Sequence, residues 1–327
     1  MTIKDVAKKA GVSVATVSRV LNGKTVGAEY QKRVERVIRE TEYVPNYNGK
    51  FLRMEKSNKI MAIIPTICNP FFSRIICSLE ECAHQAGYGL VVSITEQKRD
   101  VEARYLDMLI TKQLDGVIMF SSTYSSQEIN DLAKMVPIVQ CCEYTEGANV
   151  SRVVLDNYGM MRAVTKKFLN QGHTRIAFAG GNTYSYTETE RYRGFRDAME
   201  EAGVQIDPDF VLKKGYEHDE AYEAGRILFS GEKVPTAVVC LSDVIAAGIL
   251  RYLCESGQKD RIESLGIIGI DNTISSYYYP SFSSVEQPCD EMGKIAFELL
   301  VQRIADNSGI PRCVVLPHSL VERQCHL

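Results

Sequence analysis

The sequence lacks three features that mark large classes of protein: long apolar runs, paired cysteine motifs and clustered histidines. None of its apolar stretches approaches the roughly 20 residues that cross a bilayer. Its first residues are charged before position 9 and do not form the apolar segment of a secretion signal. We therefore expect a cytoplasmic protein that spans no membrane.

The ten cysteines never occur as C-x-x-C pairs, and most lie in apolar stretches such as residues 239–241. This favours free core thiols in a reducing compartment over disulfides or zinc. The five histidines show neither the spacing of metal ligands nor a serine–histidine–aspartate neighbourhood, and Gly180-Gly181 is too short for a phosphate-binding loop. The sequence gives no support to an enzyme, a metal site or a cofactor.

Charge is unevenly divided along the 327 residues, although the net charge is only −3. Residues 1–59 carry 13 Lys or Arg against 6 Asp or Glu, a net of +7, whereas residues 60–327 carry 25 against 35, a net of −10. A basic N-terminal segment on an acidic remainder indicates that contact with a polyanion is confined to that segment.

The basic segment opens with a pattern of two short helices and a glycine turn. Thr2 can cap a helix beginning at Ile3, with Asp5 as its capping-box partner, Gly11 ends that helix, and Ser13 caps the next. The outer face of the second helix presents Val14, Ala15, Thr16, Ser18 and Arg19. Small groups and one long donor on a thin helix suit a reader of the DNA major groove. An ordinary helical hairpin is the alternative.

A third helix is predicted over residues 28–41, after which Pro45 prevents simple continuation. Residues 47–53 could form a short helix of marginal stability, and residues 55–59 read as a linker. From residue 60 onward, apolar strands alternate with helical patterns, which predicts two doubly wound parallel-sheet lobes with a ligand cleft between them. Strands are predicted at 60–65, 89–94, 116–120, 138–141, 175–179, 237–241, 264–270 and 313–317, and helices at 71–85, 101–112, 160–170, 190–202, 219–229, 244–254 and 289–305.

Residues 2–23, TIKDVAKKAGVSVATVSRVLNG, resemble the DNA-binding signature of the lactose/galactose repressor (LacI/GalR) family of transcriptional regulators. Further motifs follow in the family's order along nearly the whole chain: Tyr43–Asn46, Asn69–Phe72, Asp115-Gly116, Asp156-Asn157, Gly172-His173, Arg191–Phe195, Ser242-Asp243, Gly269–Asn272 and Gln287-Pro288. Each motif is weak alone, but their order and spacing make the resemblance specific.

The resemblance implies a homodimeric repressor that binds a pseudo-palindromic DNA operator under the control of a small-molecule effector. It implies an all-α helix-turn-helix head at residues 1–45, a hinge helix and linker at 46–59, and a periplasmic-binding-protein-like α/β core at 60–327. The first lobe of this core would comprise residues 60–157 and 287–315, and the second residues 158–286 and 316–327.

Roles for individual residues follow only from this resemblance. In the head and hinge, the DNA-binding positions would be Thr2, Val14, Ala15, Thr16, Ser18, Arg19, Asn22, Asn46, Lys50 and Leu52. Val14 and Ala15 lack hydrogen-bonding side chains, so direct readout would depend on Arg19 and on Leu52, the match to the leucine that kinks the operator. Gly49-Lys50 replaces the family's usual Ala-Arg, and glycine costs about 1 kcal/mol of helix propensity. We therefore expect a hinge that orders only on DNA or binds weakly.

In the core, the implied effector-binding positions are Phe71, Phe72, Ser121, Cys142, Arg191, Tyr216, Ser242, Asp243 and Asp271. The aromatic residues would sandwich a ring, and Arg191 and Asp271 would bind its polar edge; simple packing of Phe72 and a structural Arg191–Asp271 pair are the alternatives. Cys142 stands where the family commonly has Asp, and Ser242 where it has Asn. Sugar binders of the family tend to keep those two groups for hydroxyls. The Asp271-Asn272 pair and the Cys142-Glu143 segment resemble the purine and cytidine repressor branch, which leaves the effector open between a sugar and a nucleoside or purine. A regulator controlled by a protein coeffector, and a stand-alone solute-binding protein, are the alternative functions.

Overall fold

The computed structural model describes residues 1–21, 24–43, 56–181, 185–213, 215 and 218–323. The chain divides into two units, Met1–Ser57 and Asn58–Leu327. Within the described ranges, no helix is both long enough and apolar enough to cross a membrane.

The first unit is a bundle of three helices: α1 (Ile3–Ala10), α2 (Val14–Leu21) and α3 (Ala28–Thr41). The predicted capping box is present, because Thr2 and Asp5 exchange hydrogen bonds at the start of α1. Gly11 ends α1 with φ = +64°, a left-handed conformation that glycine adopts without strain. A core of Val, Ala and Tyr side chains, including Val6, Val17 and Val34, holds the three helices together.

The first lobe of the second unit contains a six-stranded sheet in the order β11-β5-β4-β3-β1-β2. All of its pairs are parallel. Apolar clusters lie on both faces, which explains why its central strands read as continuous apolar runs. The elements of this lobe are β1 (Lys59–Ile64), α4 (Pro70–Gln85), β2 (Gly89–Ile94), α5 (Arg99–Ile110), β3 (Gly116–Met119), α6 (Ser126–Ala133), β4 (Ile138–Cys141), β5 (Ser151–Leu155), α12 (Cys289–Ala305) and β11 (Cys313–Leu316).

The second lobe contains a sheet in the order β12-β10-β9-β8-β6-β7. It is parallel except where β12 pairs antiparallel with β10. Its elements are α7 (Asn157–Asn170), β6 (Ile176–Ala179), α8 (Tyr186–Glu201), a 3₁₀ turn (Pro208–Phe210), β7 (Val211–Leu212), α9 (His218–Phe229), β8 (Ala237–Cys240), α10 (Asp243–Glu255), α11 (Lys259–Ile262), β9 (Gly266–Asp271), β10 (Ser283–Glu286) and β12 (Ser319–Val321).

The chain passes between the two lobes three times. The crossings join β5 to α7, β10 to α12, and β11 to β12. Both lobes are therefore built from separated stretches of sequence.

Four strands and two helices of this core were not among the predicted elements: β5, β7, β10, β12, α6 and α11. Strand β10 shows why, since its sequence SSVE is mostly polar although Ser283 and Ser284 are fully buried. The Ser283 hydroxyl accepts the Arg323 N–H at 2.9 Å, and the Ser284 hydroxyl donates to Asp243. Hydrogen bonds to distant residues satisfy these side chains, so a hydrophobic pattern cannot find the strand.

The expectation of free core thiols is corrected in part. The nine described cysteines are free, but Cys68, Cys77 and Cys313 are exposed at the surface rather than buried in the core.

Candidate functional site

The side chains on the outer face of α2 differ in their exposure to solvent. Ala15 and Arg19 are exposed, and Thr16 and Ser18 are half-exposed. The Thr16 N–H donates to the Ser13 hydroxyl at 3.1 Å, which fixes the start of the helix. Arg19 is thus the long donor on this face.

Two of the proposed DNA-binding residues have other contacts. Val14 packs partly against the core of the three-helix unit. The backbone N–H and the hydroxyl of Thr2 both donate to Asp5 Oδ2 at 2.8 Å, and these hydrogen bonds lower the pKa of the Asp5 carboxyl. Because both donors of Thr2 serve the capping box, its direct donation to a phosphate would compete with the cap.

Several predicted residues cannot be placed. Asn22, Asn46, Lys50 and Leu52 of the DNA-binding set, and Tyr216 of the effector set, lie outside the described residues. Their roles stay predictions.

A cleft of about 1200 Å³ opens between the two lobes of the second unit. Its walls are loops and helix starts at the carboxyl ends of the parallel strands, the expected position for a ligand site in such sheets. Seven of the nine predicted effector residues line it: Phe71, Phe72, Ser121, Cys142, Arg191, Ser242 and Asp271.

An aromatic wall lies on the first-lobe side. The Phe72 ring meets the Phe71 ring edge-on, with centroids 5.3 Å apart, and the Phe120 ring in the same way at 6.2 Å. Phe71 is buried and belongs to the core beneath the wall, whereas Phe72 is only partly covered. Phe72 therefore offers the apolar surface to a ligand.

The polar end of the cleft is built on the buried residues Arg191 and Asp271. Arg191 Nε donates to Asn157 Oδ1 at 2.9 Å, and one of its terminal nitrogens donates to the Leu241 carbonyl at 3.1 Å. Asp271 accepts from Gln287 Nε2 at 2.5 Å. Burial raises the pKa of Asp271 well above its ordinary value, with the nearby carboxyl of Asp243 adding to the rise.

Asn157 and Gln287 line the cleft but were absent from the predicted site. Both occur in the motifs that carry the family resemblance, Asp156-Asn157 and Gln287-Pro288. That was the signal available to sequence reasoning.

Asp243 does not line the cleft, contrary to its place in the predicted set. It is fully buried, and one carboxylate oxygen accepts the backbone N–H groups of Thr273, Ile274 and Ser275 at 2.8 to 3.3 Å. Burial raises its pKa and these hydrogen bonds oppose the rise. Asp243 thus fixes the turn that follows β9, the strand that ends in Asp271.

A direct contact joins the lobes beside the cleft; we call it the interlobe contact, residues 142–144 against residues 185–187. The Glu143 carboxylate accepts the Thr187 backbone N–H at 3.1 Å and the Ser185 hydroxyl. The Thr187 hydroxyl donates to the Cys142 carbonyl at 3.2 Å, and the Tyr144 and Tyr186 rings lie 4.5 Å apart. The sequence analysis missed the role of Glu143, which follows the predicted Cys142.

The described residues of the cleft offer groups that can bind a ligand. No group of three or more His, Cys, Asp or Glu side chains within the described ranges could hold a metal ion. The cleft instead combines an aromatic wall, buried hydrogen-bonding groups and hydroxyls, which suits a polar ring compound. A helix-turn-helix unit followed by such a two-lobed unit is the architecture of a ligand-responsive DNA-binding protein.

Comparison with known proteins gives the same result. Residues 2–46 match the family model of bacterial regulatory proteins, lacI family, and residues 165–325 match the periplasmic binding protein-like domain. The HTH-type transcriptional repressor PurR of Histophilus somni (strain 129Pt) is 31% identical over 327 residues, which cover 99% of this chain and 98% of that protein. The PurR of Haemophilus influenzae (strain PittEE) is 33% identical over 307 residues, 93% of this chain and 91% of that protein.

Solved structures share the whole fold. A transcriptional regulator CelR–cellobiose complex is 27% identical with a TM-score of 0.73 and covers 99% of both chains. The Lac repressor dimer bound to operator and an anti-inducer has a TM-score of 0.85 over 100% of this chain and 99% of its own, at 24% identity. The chain belongs to the lacI family of bacterial regulatory proteins.

Proposed function

We propose that this regulator is a homodimeric transcriptional repressor that binds a two-fold symmetric operator through α2 and is controlled by a small molecule in the interlobe cleft. The observation that carries the proposal is the cleft: Phe72, Arg191 and Asp271 converge on one cavity in a chain that begins with a helix-turn-helix unit. A repressor of this kind would act on the chromosome in the cytoplasm.

The DNA-binding half of the proposal is supported by charge and shape. The exposed Arg19 lies on a helix of eight residues within a segment of net charge +7. Arginine pairs with guanine in the major groove, and the surrounding positive charge supports phosphate contacts. A dimer presents two such helices, so the matching DNA site repeats with two-fold symmetry.

Two classes of effector are supported by different relatives. Purine repressors are the relatives at 31 to 33% identity, which favours a purine base or nucleoside. The cellobiose complex supports a sugar as the second candidate. Both are ring compounds with hydrogen-bonding edges, as the Phe72 wall and the Arg191–Asp271 end require.

The test begins with selection of bound duplexes from a randomised DNA pool by the full chain. We expect enriched sequences with two-fold symmetry. Fluorescence anisotropy with a selected duplex should then show that hypoxanthine, guanine, adenosine, glucose or cellobiose shifts the DNA affinity at least tenfold. Failure to enrich any duplex would contradict the DNA-binding half, and an affinity that none of these compounds changes would contradict the control by such effectors.

A further inference from the structure

The cleft is also lined by a loop of the first lobe, residues 122–124. We propose that residues 122–124, together with Arg99 and Glu102 of α5, form an outer subsite for the second ring of a glycosidically linked ligand, such as a nucleoside or a disaccharide. This inference rests on the proposed effector function of the cleft. We call the end built on Phe72, Arg191 and Asp271 the deep subsite.

Glu102 holds the loop of the outer subsite in place through hydrogen bonds. Its side chain is buried, with 1% of the residue exposed. It accepts the Ser122 hydroxyl at 2.6 Å, the Thr123 hydroxyl at 2.7 Å and the Thr123 backbone N–H at 2.9 Å. A buried carboxylate that is costly to desolvate is thus devoted to the shape of one loop in the cleft wall.

Arg99 forms a flat platform at the same place. Its guanidinium carbon lies 4.3 Å from the centre of the Tyr124 ring, one terminal nitrogen donates to the Thr123 carbonyl at 3.0 Å, and the other pairs with Glu128. The Ser125 backbone N–H and Arg99 hold the pKa of Glu128 near 2, so the pair is ionised at neutral pH. These three contacts hold the guanidinium, while Arg99 lines the cleft with 51% of its side chain exposed. A guanidinium held in this way can stack on a planar or ring-shaped group.

The hydroxyl groups in this wall have a fixed direction of hydrogen bonding. Ser122 and Thr123 each give their single hydroxyl proton to Glu102. Their oxygens can therefore only accept hydrogen bonds from a ligand. Sugar hydroxyls and the N–H groups of bases are donors that meet this requirement.

The size and continuity of the cleft indicate a ligand that uses both subsites at once. Its volume of about 1200 Å³ exceeds the roughly 300 to 1,000 Å³ of pockets for drug-sized ligands. Phe120 packs on Phe72 of the deep subsite, and Ser121 then leads directly into the outer loop. The four steps of chain from Phe120 to Tyr124 span at most about 14 Å, so the two subsites adjoin. Two rings joined by one glycosidic bond can occupy both subsites at once.

The test compares matched ligand pairs that differ by one ring, using the full chain and isothermal titration calorimetry. The pairs are adenine with adenosine, hypoxanthine with inosine, and glucose with cellobiose. Counting the fused purine as one ring system, we call the free base or monosaccharide the single-ring member of its pair and the nucleoside or disaccharide the two-ring member. We expect the two-ring member of one pair to bind at least tenfold more tightly than its single-ring member. The pair that shows this preference distinguishes a nucleoside from a disaccharide.

Arg99→Lys keeps the charge and removes the flat platform, and Arg104→Lys is the matched control at an exposed position of the same helix. We expect Arg99→Lys to reduce the two-ring preference at least fivefold with unchanged affinity for the single ring, and Arg104→Lys to change neither. Glu102→Gln should act in the same direction as Arg99→Lys.

Three outcomes would overturn the outer subsite: equal affinity for both members of every pair, a preference that survives Arg99→Lys, or a parallel loss of both affinities in that variant. In each of these the parent protein still binds the single ring, so the effector function of the cleft stands. Binding of no compound from any pair would overturn both the subsite and the proposed effectors.

Discussion

The Glu143 carboxylate of the first lobe accepts the backbone N–H of Thr187 in the second lobe at 3.1 Å. Thr187 lies in the first turn of α8, where backbone N–H groups have no partner inside the helix. A negative charge at that end also interacts favourably with the helix dipole. One side chain of the first lobe therefore caps a helix of the second lobe. Because Glu143 and Thr187 both line the cleft, the contact that holds the lobes together is part of the cleft wall.

Glu143→Ala should loosen the interlobe contact. Each hydrogen bond to a charged group is worth about 1.5 to 3 kcal/mol, which corresponds to a roughly 10- to 150-fold change in an opening equilibrium. Hydrogen exchange should accelerate in residues 186–190 and stay unchanged within α7. Glu143→Gln keeps an acceptor oxygen, so its exchange rate in residues 186–190 should lie between those of the parent protein and Glu143→Ala. Glu146→Ala, at an exposed neighbouring position, should exchange like the parent. Unchanged protection at Thr187 in Glu143→Ala would contradict the contact.

Arg19→Ala should weaken binding to a selected operator by roughly 1 to 3 kcal/mol, or about 5- to 150-fold. The control is Arg36→Ala, because Arg36 forms an exposed ion pair with Glu40 on α3, and its loss should matter far less. Anisotropy titrations of both variants at one salt concentration measure the difference. Equal affinity of Arg19→Ala and the parent would remove α2 from the proposed interface.

Asp271→Asn should stabilise the ligand-free protein at neutral pH. Burial raises the folded-state pKa of Asp271 above its ordinary value of about 3.9. A raised pKa means that the folded state binds the proton more tightly than the unfolded state. The free energy of unfolding of the parent protein therefore falls as pH rises above about 4. Asparagine carries no such charge and can still accept from Gln287. Urea unfolding should show an advantage for Asp271→Asn that grows from pH 4.5 to pH 7.5; an advantage that shrinks over this interval would refute the assignment.

Gly194→Ala should destabilise the second lobe. A Cβ atom at Gly194 would overlap the Tyr158 carbonyl oxygen and lie 3.0 Å from the Arg162 nitrogen, both in the backbone of α7. Overpacking costs about 1 to 3 kcal/mol and occasionally more, against a gain of up to about 1 kcal/mol in helix propensity. We expect a net loss of about 1 to 2 kcal/mol in urea unfolding. Gly231→Ala is the control, since its Cβ would meet its nearest neighbour at an ordinary 3.6 Å, and the prediction fails if both variants unfold together.

Helices and strands were predictable where the local sequence pattern alone determines their type and bounds. The boundaries of α3 matched the predicted 28–41, and α12 matched 289–305, because apolar periodicity runs along each helix and Gly27 or Pro288 precedes its first residue. Strand β10 was not predictable, since its buried serines depend on Asp243 and Arg323, which are 41 and 40 residues away. Long-range hydrogen bonds leave no local signature.

The candidate site divides in the same way. Family motifs identified Arg191 and Asp271, which lie together at the cleft. They misplaced Asp243, because a motif shows that a carboxylate is present but not whether it faces a ligand or a turn. They also missed Glu143 and Glu102, whose importance comes from partners in another loop or lobe.

Because the chain crosses between the lobes three times, truncation of the protein affects both lobes. A protein cut after β5 loses α12 and β11 from the first lobe, and one started at α7 carries those two elements without the sheet that they complete. Neither lobe exists as one uninterrupted stretch of coding sequence. We therefore expect frameshifts and premature stops anywhere between residues 157 and 286 to leave both lobes incomplete, so that no half of the sensor survives as a working part.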